Sequence, residues 1–146
     1  MAAIAGQLAR STGIEIQSFN VAAATTITIG KAVALDAAGR AVLATNSVGT
    51  VARGIMIAIE TVDNSAGAAG ALEVRCAIGN TYVYATAGGA IKVGETVKAD
   101  ANSACVAATG IFGAETHLGR YIGHENEEAE PTDAANNDII IVRLGL

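Results

Sequence analysis

A thirteen-residue pattern occurs twice in this chain. Gly30-Lys-Ala-Val33-Ala-Leu-Asp36-Ala37-Ala-Gly-Arg-Ala-Val42 aligns without gaps on Gly94-Glu-Thr-Val97-Lys-Ala-Asp100-Ala101-Asn-Ser-Ala-Cys-Val106, a shift of 64 residues. The shared spacing, G-x-x-V-x-x-D-A-x-x-x-x-V, describes a glycine at a strand start, an inward Val, an Asp-led hairpin turn and an inward Val on the return strand. After each copy comes an Arg-Gly or Gly-Arg pair leading an apolar run, Arg53-Gly54-Ile55-Met56-Ile57 and Gly119-Arg120-Tyr121-Ile122-Gly123. Each copy then closes on a further apolar run, Leu72–Ile78 and Ile139–Leu144, at a shift of 67. A chain that repeats a hairpin in this way is expected to fold as two related β units, here residues 25–85 and 86–146.

The rest of the pattern is consistent with that class. Apolar residues alternate with small or polar ones at Ile27 and Ile29, at Val33 and Leu35, at Ile55, Ile57 and Ile59, and at Leu72, Val74, Cys76 and Ile78, the period of a strand with one buried face. Turn-forming residues fall between these runs, at Asp36–Gly39, Asp63–Ser65, Gly79-Asn80, Gly88-Gly89 and Asp100–Ser103. The expected fold is all-β, a small barrel or sandwich built of the two units, with an extended N-terminal arm and little helix. Parts of residues 64–71 and 125–137 are compatible with a helix and equally with a loop, and a short helical turn is compatible with residues 110–115. Aromatic residues make up 3% of the chain, there is no Trp, and 32 residues are Ala. The core must therefore come from Ile, Val, Leu and Ala, and each Ala removes little area from water at about 25 cal/mol per Å². Such a chain gains from a partner that buries more.

Residues 1–24 precede the repeat and carry isolated Ile4, Leu8, Ile14, Ile16, Phe19 and Val21 among small and polar residues. Two readings fit: a frayed terminus followed by one edge strand, or an arm that orders on a partner and buries Ile14, Ile16 and Phe19 there. A net charge of −5 with nine scattered basic residues argues against nucleic-acid binding, which needs clustered Lys and Arg. No apolar run reaches transmembrane length, and the N-terminus lacks the basic and apolar regions of a secretory signal, so synthesis in the cytoplasm is expected.

The catalytic inventory is thin. No nucleophile elbow, zinc-protease helix or phosphate-binding loop is present, and Ala66-Gly-Ala-Ala-Gly70 lacks the Lys and Ser/Thr that would follow in a P-loop. Cys76 and Cys105 are 29 residues apart with no C-x-x-C spacing and read as two small buried hydrophobes. His117 and His124 are expected at the surface or in a turn. The acidic run Glu125–Asp133 does not match a calcium loop and reads as a solvated segment turned by Pro131, the single proline. Tyr82 and Tyr84 should share one face of a strand. No cofactor is expected. If the chain were instead a small ligand-binding barrel or an enzyme, Tyr82, Tyr84, Arg120 and His117 would be its pocket residues.

The repeated G-x-x-V-x-x-D-A-x-G hairpin, the R-G-I-x-I-A strand and the short C-terminal apolar strand together resemble the capsid decoration, or cement, proteins of tailed bacteriophages. The resemblance covers residues 25–146. It implies a non-enzymatic virion protein that binds the outside of the major capsid protein lattice and stabilises the head, often as a homotrimer or other homo-oligomer, with no nucleic acid or membrane partner. By the same resemblance residues 1–24 would be the arm that contacts the lattice, with Ile14, Ile16 and Phe19 as its apolar anchors. A head-tail or tail component is the alternative within the virion.

Overall fold

The computed structural model describes residues 5–6, 15–45, 56–79, 81–108, 117–124 and 129–145. Among these the chain forms strands and turns and no helix. The strands are β1 (Ile16–Asn20), β2 (Thr25–Ile27), β3 (Ala32–Leu35), β4 (Ala41–Leu43), β5 (Met56–Ala58), β6 (Val62–Asn64), β7 (Glu73–Ala77), β8 (Tyr82–Thr86), β9 (Thr96–Ala99), β10 (Cys105–Ala107), β11 (His117–Gly123) and β12 (Ile139–Leu144). They assemble into a five-stranded sheet in the order β1-β7-β5-β3-β4, a second in the order β10-β9-β11-β12-β8, and the two-stranded β2-β6. All neighbouring strands are antiparallel. The two edges of each large sheet meet at one isolated parallel bridge, Val21 with Ala41 where β1 ends and β4 begins, and Ala87 with Cys105 where β8 ends and β10 begins, so each sheet curls back on itself and the two stack as barrel-like units.

The two repeated hairpins are built alike. In the first, Asp36 Oδ1 accepts hydrogen bonds from the backbone N–H of Ala38 and of Arg40 at 2.9 and 3.0 Å. In the second, Asp100 Oδ1 accepts from Asn102 and Ala104 at 2.7 and 3.0 Å. An acidic side chain that folds back on its own turn in this way offers the backbone a closed loop in place of a continued ladder. Gly30 and Gly94, which open the two patterns, have φ of +80° and +85°, a region in which a Cβ is strained. The turns differ in one respect. Gly39 takes the left-handed position of the first turn at φ +79°, but the second uses Ser103 at φ +62°. Ser103 compensates by donating its hydroxyl to the carbonyl of Ala44 in the other sheet.

Strand order is also matched. From the hairpin edge inward, β4-β3-β5-β7-β1 runs parallel in chain order to β10-β9-β11-β12-β8. The pairing of β2 with β6 through Ile27 and Val62 has its counterpart in an isolated bridge between Ile91 and Ala134. Membership of the two sheets changes between Ala77 and Tyr82, so β1 completes the first sheet and β8 the second.

Alanine explains how the sheets stack. Ala32, Ala34, Ile57 and Ala77 of the first sheet join Val83, Ala85, Val97, Ala99, Ile140 and Val142 of the second in one buried cluster. The opposite face of the first sheet, with Val33, Met56, Val74 and Cys76, is covered by Ile27 and Val62 of the β2-β6 pair in a second cluster. The first sheet is thus buried on both faces, and small side chains at its inner face let the second sheet approach. Backbone contacts tie the layers as well: Ala32 N donates to Ser103 O at 2.9 Å, and Glu15 N donates to Thr81 Oγ1 at 2.9 Å.

One sequence expectation changes, the placement of His117, and the segments compatible with either helix or loop are resolved in part. Residues 65–71 form turns, closed by Asn64 Nδ2 at the end of β6 donating to Ala22 O and Ala68 O at 3.0 Å each. These side-chain bonds replace the backbone ladder a helix would need. Residues 129–137 carry no helix, while 125–128 and 110–115 lie outside the described residues. His117 is buried at 8% exposure, because it belongs to β11 and faces Lys98 of β9 in register.

Candidate functional site

The edge strands of each large sheet meet at one end: Ala22 N, just past β1, donates to Ala41 O on β4, and Gly88 N, just past β8, donates to Cys105 O on β10, at 3.1 and 2.7 Å, while Gly6 N donates to Tyr84 O on β8 at 2.6 Å. Toward its N-terminal end the β1 edge carries no such contact among the described residues. Its hydrogen-bonding residues toward β7 are set by two observed bonds, Ile78 N to Glu15 O and Val21 N to Leu72 O, both at 2.9 Å. Because antiparallel ladders alternate, Gln17 and Phe19 also face β7, and the backbone N–H and C=O of Ile16, Ser18 and Asn20 point away from the sheet. Asn20 lies beside the parallel Val21–Ala41 bridge to β4, and among the described residues no backbone group pairs with Ile16 or Ser18.

The side chains of β1 are correspondingly open. Ile16 is 43% exposed, an unusual position for a large aliphatic residue, and Gln17, Ser18 and Asn20 are exposed. Phe19 is half-buried and packs against the cluster that contains Val74 and Cys76. Two of the three apolar residues singled out in the sequence, Ile16 and Phe19, therefore share one strand but not one role. Ile16 faces solvent and Phe19 anchors the strand to the core. Ile14 lies outside the described residues.

The outer face of the second sheet is the other distinctive surface. Register places Tyr82, Arg143, Arg120 and Thr96 side by side across β8, β12, β11 and β9. Arg120 and Arg143 are exposed, while Tyr82 and Tyr84 are half-buried on the same face, alternating with buried Val83 and Ala85. Tyr82 and Arg120, named above as residues of a hypothetical pocket, do share this face, separated by Arg143. No local signal singles out Arg143, because its pairing opposite Arg120 depends on the register of two strands about twenty residues apart.

Beyond the end of β11 the hydroxyl of Tyr121, a fully buried side chain, lies 2.5 Å from Thr132 O, to which it donates, and 3.1 Å from His124 Nδ1. His124 Nε2 meets Asp138 Oδ2 at 2.9 Å, and the same oxygen accepts from Ala135 N at 2.8 Å. The Ala135 backbone bond and then the His124 bond hold the Asp138 carboxyl below its ordinary value. The chain of contacts pins the segment before β12 to the end of β11. A Tyr-His-Asp chain lacks a nucleophile here, since the Tyr oxygen is buried and engaged. Cys76 and Cys105 are free thiols, each buried in a different cluster, and burial pushes both up to about 12. Among the described residues no group of His, Cys, Asp and Glu is arranged to hold a metal ion. Asp133, in the acidic run, accepts from Val93 N at 3.0 Å.

Comparison with known proteins brings these surfaces into context. The fold is similar to that of the N-terminal base of the head fibre protein gp8.5 of bacteriophage phi29, with a TM-score of 0.58 and 13% identity, over 90% of this chain and 95% of that one. No curated protein matches the sequence. A family model described as structural cement protein (E217 gp24/Pam3 gp6) matches residues 1–145. With an all-β fold and a match that spans nearly the whole chain, this protein belongs to the structural cement protein family of bacteriophages.

Proposed function

We propose that the chain binds the outside of the major capsid protein lattice without catalysing a reaction, and that the open edge of β1 is where an extended segment of that lattice adds as a further strand. The observation that supports this most is the outward backbone groups of Ile16 and Ser18, on the part of β1 that lies before its bridge to β4, with which no described backbone group pairs. Strand addition supplies affinity through main-chain hydrogen bonds and specificity through flanking side chains. Exposed Ile16 is the apolar contact beside those groups, and half-buried Phe19 keeps β1 seated on the core while it is loaded. The same edge explains the need for polar Gln17 and Ser18, which discourage uncontrolled edge pairing in the free protein.

We also read the two large sheets as a duplicated unit, supported by the shared strand order and by the matching Asp36 and Asp100 turns. Self-association into a trimer or other homo-oligomer would multiply weak edge contacts into firm attachment by raising effective concentration.

Purified protein mixed with undecorated capsids of its phage and sedimented tests the reading. Wild type pellets with the capsids. Ser18→Pro removes one outward donor and sterically blocks the edge, leaving the bonds of Gln17 and Phe19 to β7 in place, and stays in the supernatant. Ser18→Ala pellets like wild type. Failure of wild type to pellet overturns the lattice reading, and undiminished pelleting of a folded Ser18→Pro overturns the role of the edge.

A further inference from the structure

Arg120 and Arg143 stand directly opposite one another on β11 and β12. Gly145 N donates to Leu118 O, which makes the 118–145 pair hydrogen-bonded, and the alternation of the ladder gives the 120–143 pair the same type. Their Cα atoms are then roughly 5.5 Å apart, with both guanidinium groups leaving the same face. Like charges in direct cross-strand register work against the sheet. Nothing nearby relieves them. Arg120 Nη1 makes one long contact, 3.4 Å to Gly94 O, and among the described residues neither arginine is paired with a carboxylate.

The corresponding row of the first sheet shows what this face does elsewhere in the fold. There Ile16, Ala77, Ile57 and Ala32 lie side by side, and Ala77, Ile57 and Ala32 are completely buried beneath the second sheet. In the second sheet that row reads Tyr82, Arg143, Arg120, Thr96, and its two arginines are exposed. The row thus bears two exposed cations, with no carboxylate partner among the described residues, between a tyrosine and a threonine, in a chain whose net charge is −5.

Resting on the lattice reading above, we propose that the Arg120–Arg143 pair is a second attachment point, which receives a carboxylate-bearing segment of the capsid lattice. The fork of a guanidinium matches a carboxylate with two parallel N–H···O bonds, and two forks side by side match two acidic side chains on one strand or turn. Tyr and Arg are the residue types that concentrate binding energy in protein interfaces. The rest of this acidic protein repels an acidic partner, so the pair also fixes which face turns toward it. Two attachment surfaces on different sheets, the β1 edge and the arginine face, let one molecule join two lattice elements, as a cement must.

Capsid co-sedimentation with titrated protein at low and high salt tests this. Wild type binds, and raising salt weakens it. Arg120→Gln and Arg143→Gln each weaken the apparent Kd by about tenfold, and the double variant binds weakly with little remaining salt dependence. Melting temperatures of the variants equal or exceed that of wild type, which separates lost recognition from lost folding. If wild type binds and the folded double variant binds equally well with the same salt dependence, the arginine proposal is overturned while the lattice reading stands. If the double variant loses self-association but keeps capsid affinity, the face belongs to a second copy of this chain and the proposal is again overturned. If wild type does not bind capsids, both readings are overturned together.

Discussion

The two Asp turns allow a quantitative test of how the hairpins are held. Asp36→Ala removes an oxygen that accepts two backbone N–H groups, from Ala38 and Arg40, and Asp100→Ala removes its counterpart for Asn102 and Ala104. A net hydrogen bond contributes about 0.5–1.5 kcal/mol, and these turns are close enough to water that solvent replaces part of each bond, so each substitution should cost about 1–2 kcal/mol. For a domain of this size that corresponds to a fall in Tm of roughly 3–8 °C. The two aspartates share no hydrogen-bond partner, so the double variant should show the sum of the two losses to within about 0.5 kcal/mol, unless the Ser103 contacts to Ala32 and Ala44 couple the turns. Asp→Asn at either site keeps the accepting oxygen and should cost little. Urea titration followed by far-UV circular dichroism measures all five variants. The reasoning is refuted if Asn is as damaging as Ala, which would assign the effect to charge, or if only one of the two Ala variants destabilises.

Other substitutions probe the remaining contacts. Tyr121→Phe leaves Thr132 O and His124 without the buried hydroxyl and should destabilise by about 1–3 kcal/mol, read by denaturant midpoint, with the segment before β12 becoming protease-sensitive first. Asp138 has a carboxyl held below 3.8 in the folded state, so its contribution is present above that value and is lost as pH falls through the folded pKa. Asp138→Asn should therefore flatten the acid limb of the stability curve below about pH 4, as followed by melting at stepped pH. Cys76 and Cys105, buried and pushed to about 12, should react with thiol reagents at pH 8 only as fast as the protein opens, and adding denaturant should accelerate both together.

Much of the strand pattern was legible because it is local. The alternation at Val33 and Leu35 gave β3, that at Val74 and Cys76 gave β7, and the Asp36 and Asp100 turns fell between strands as their chemistry requires. The shared face of Tyr82 and Tyr84 follows from the two-residue period alone. What the sequence concealed depends on contacts between distant residues. Val62–Asn64 carries turn residues, yet pairs as β6 because Ile27 needs a cover. His117 reads as a surface residue and is buried because its strand lies in the interior of the second sheet, between β9 and β12. Ile16 and Phe19 carry the same apolar signal, and only the register of β1 against β7 turns one outward and the other toward the core.

By itself the sequence determined the all-β class, the repeated hairpin and the dependence on small side chains. Those properties rest on backbone preferences and on side-chain periodicity within a few residues. The tertiary structure decided which part of the β1 edge stays uncovered, that the first sheet is buried on both faces, and that Arg120 meets Arg143. Each of these is a matter of register and layering, where a shift of a single residue would reverse every face, and no local preference fixes it.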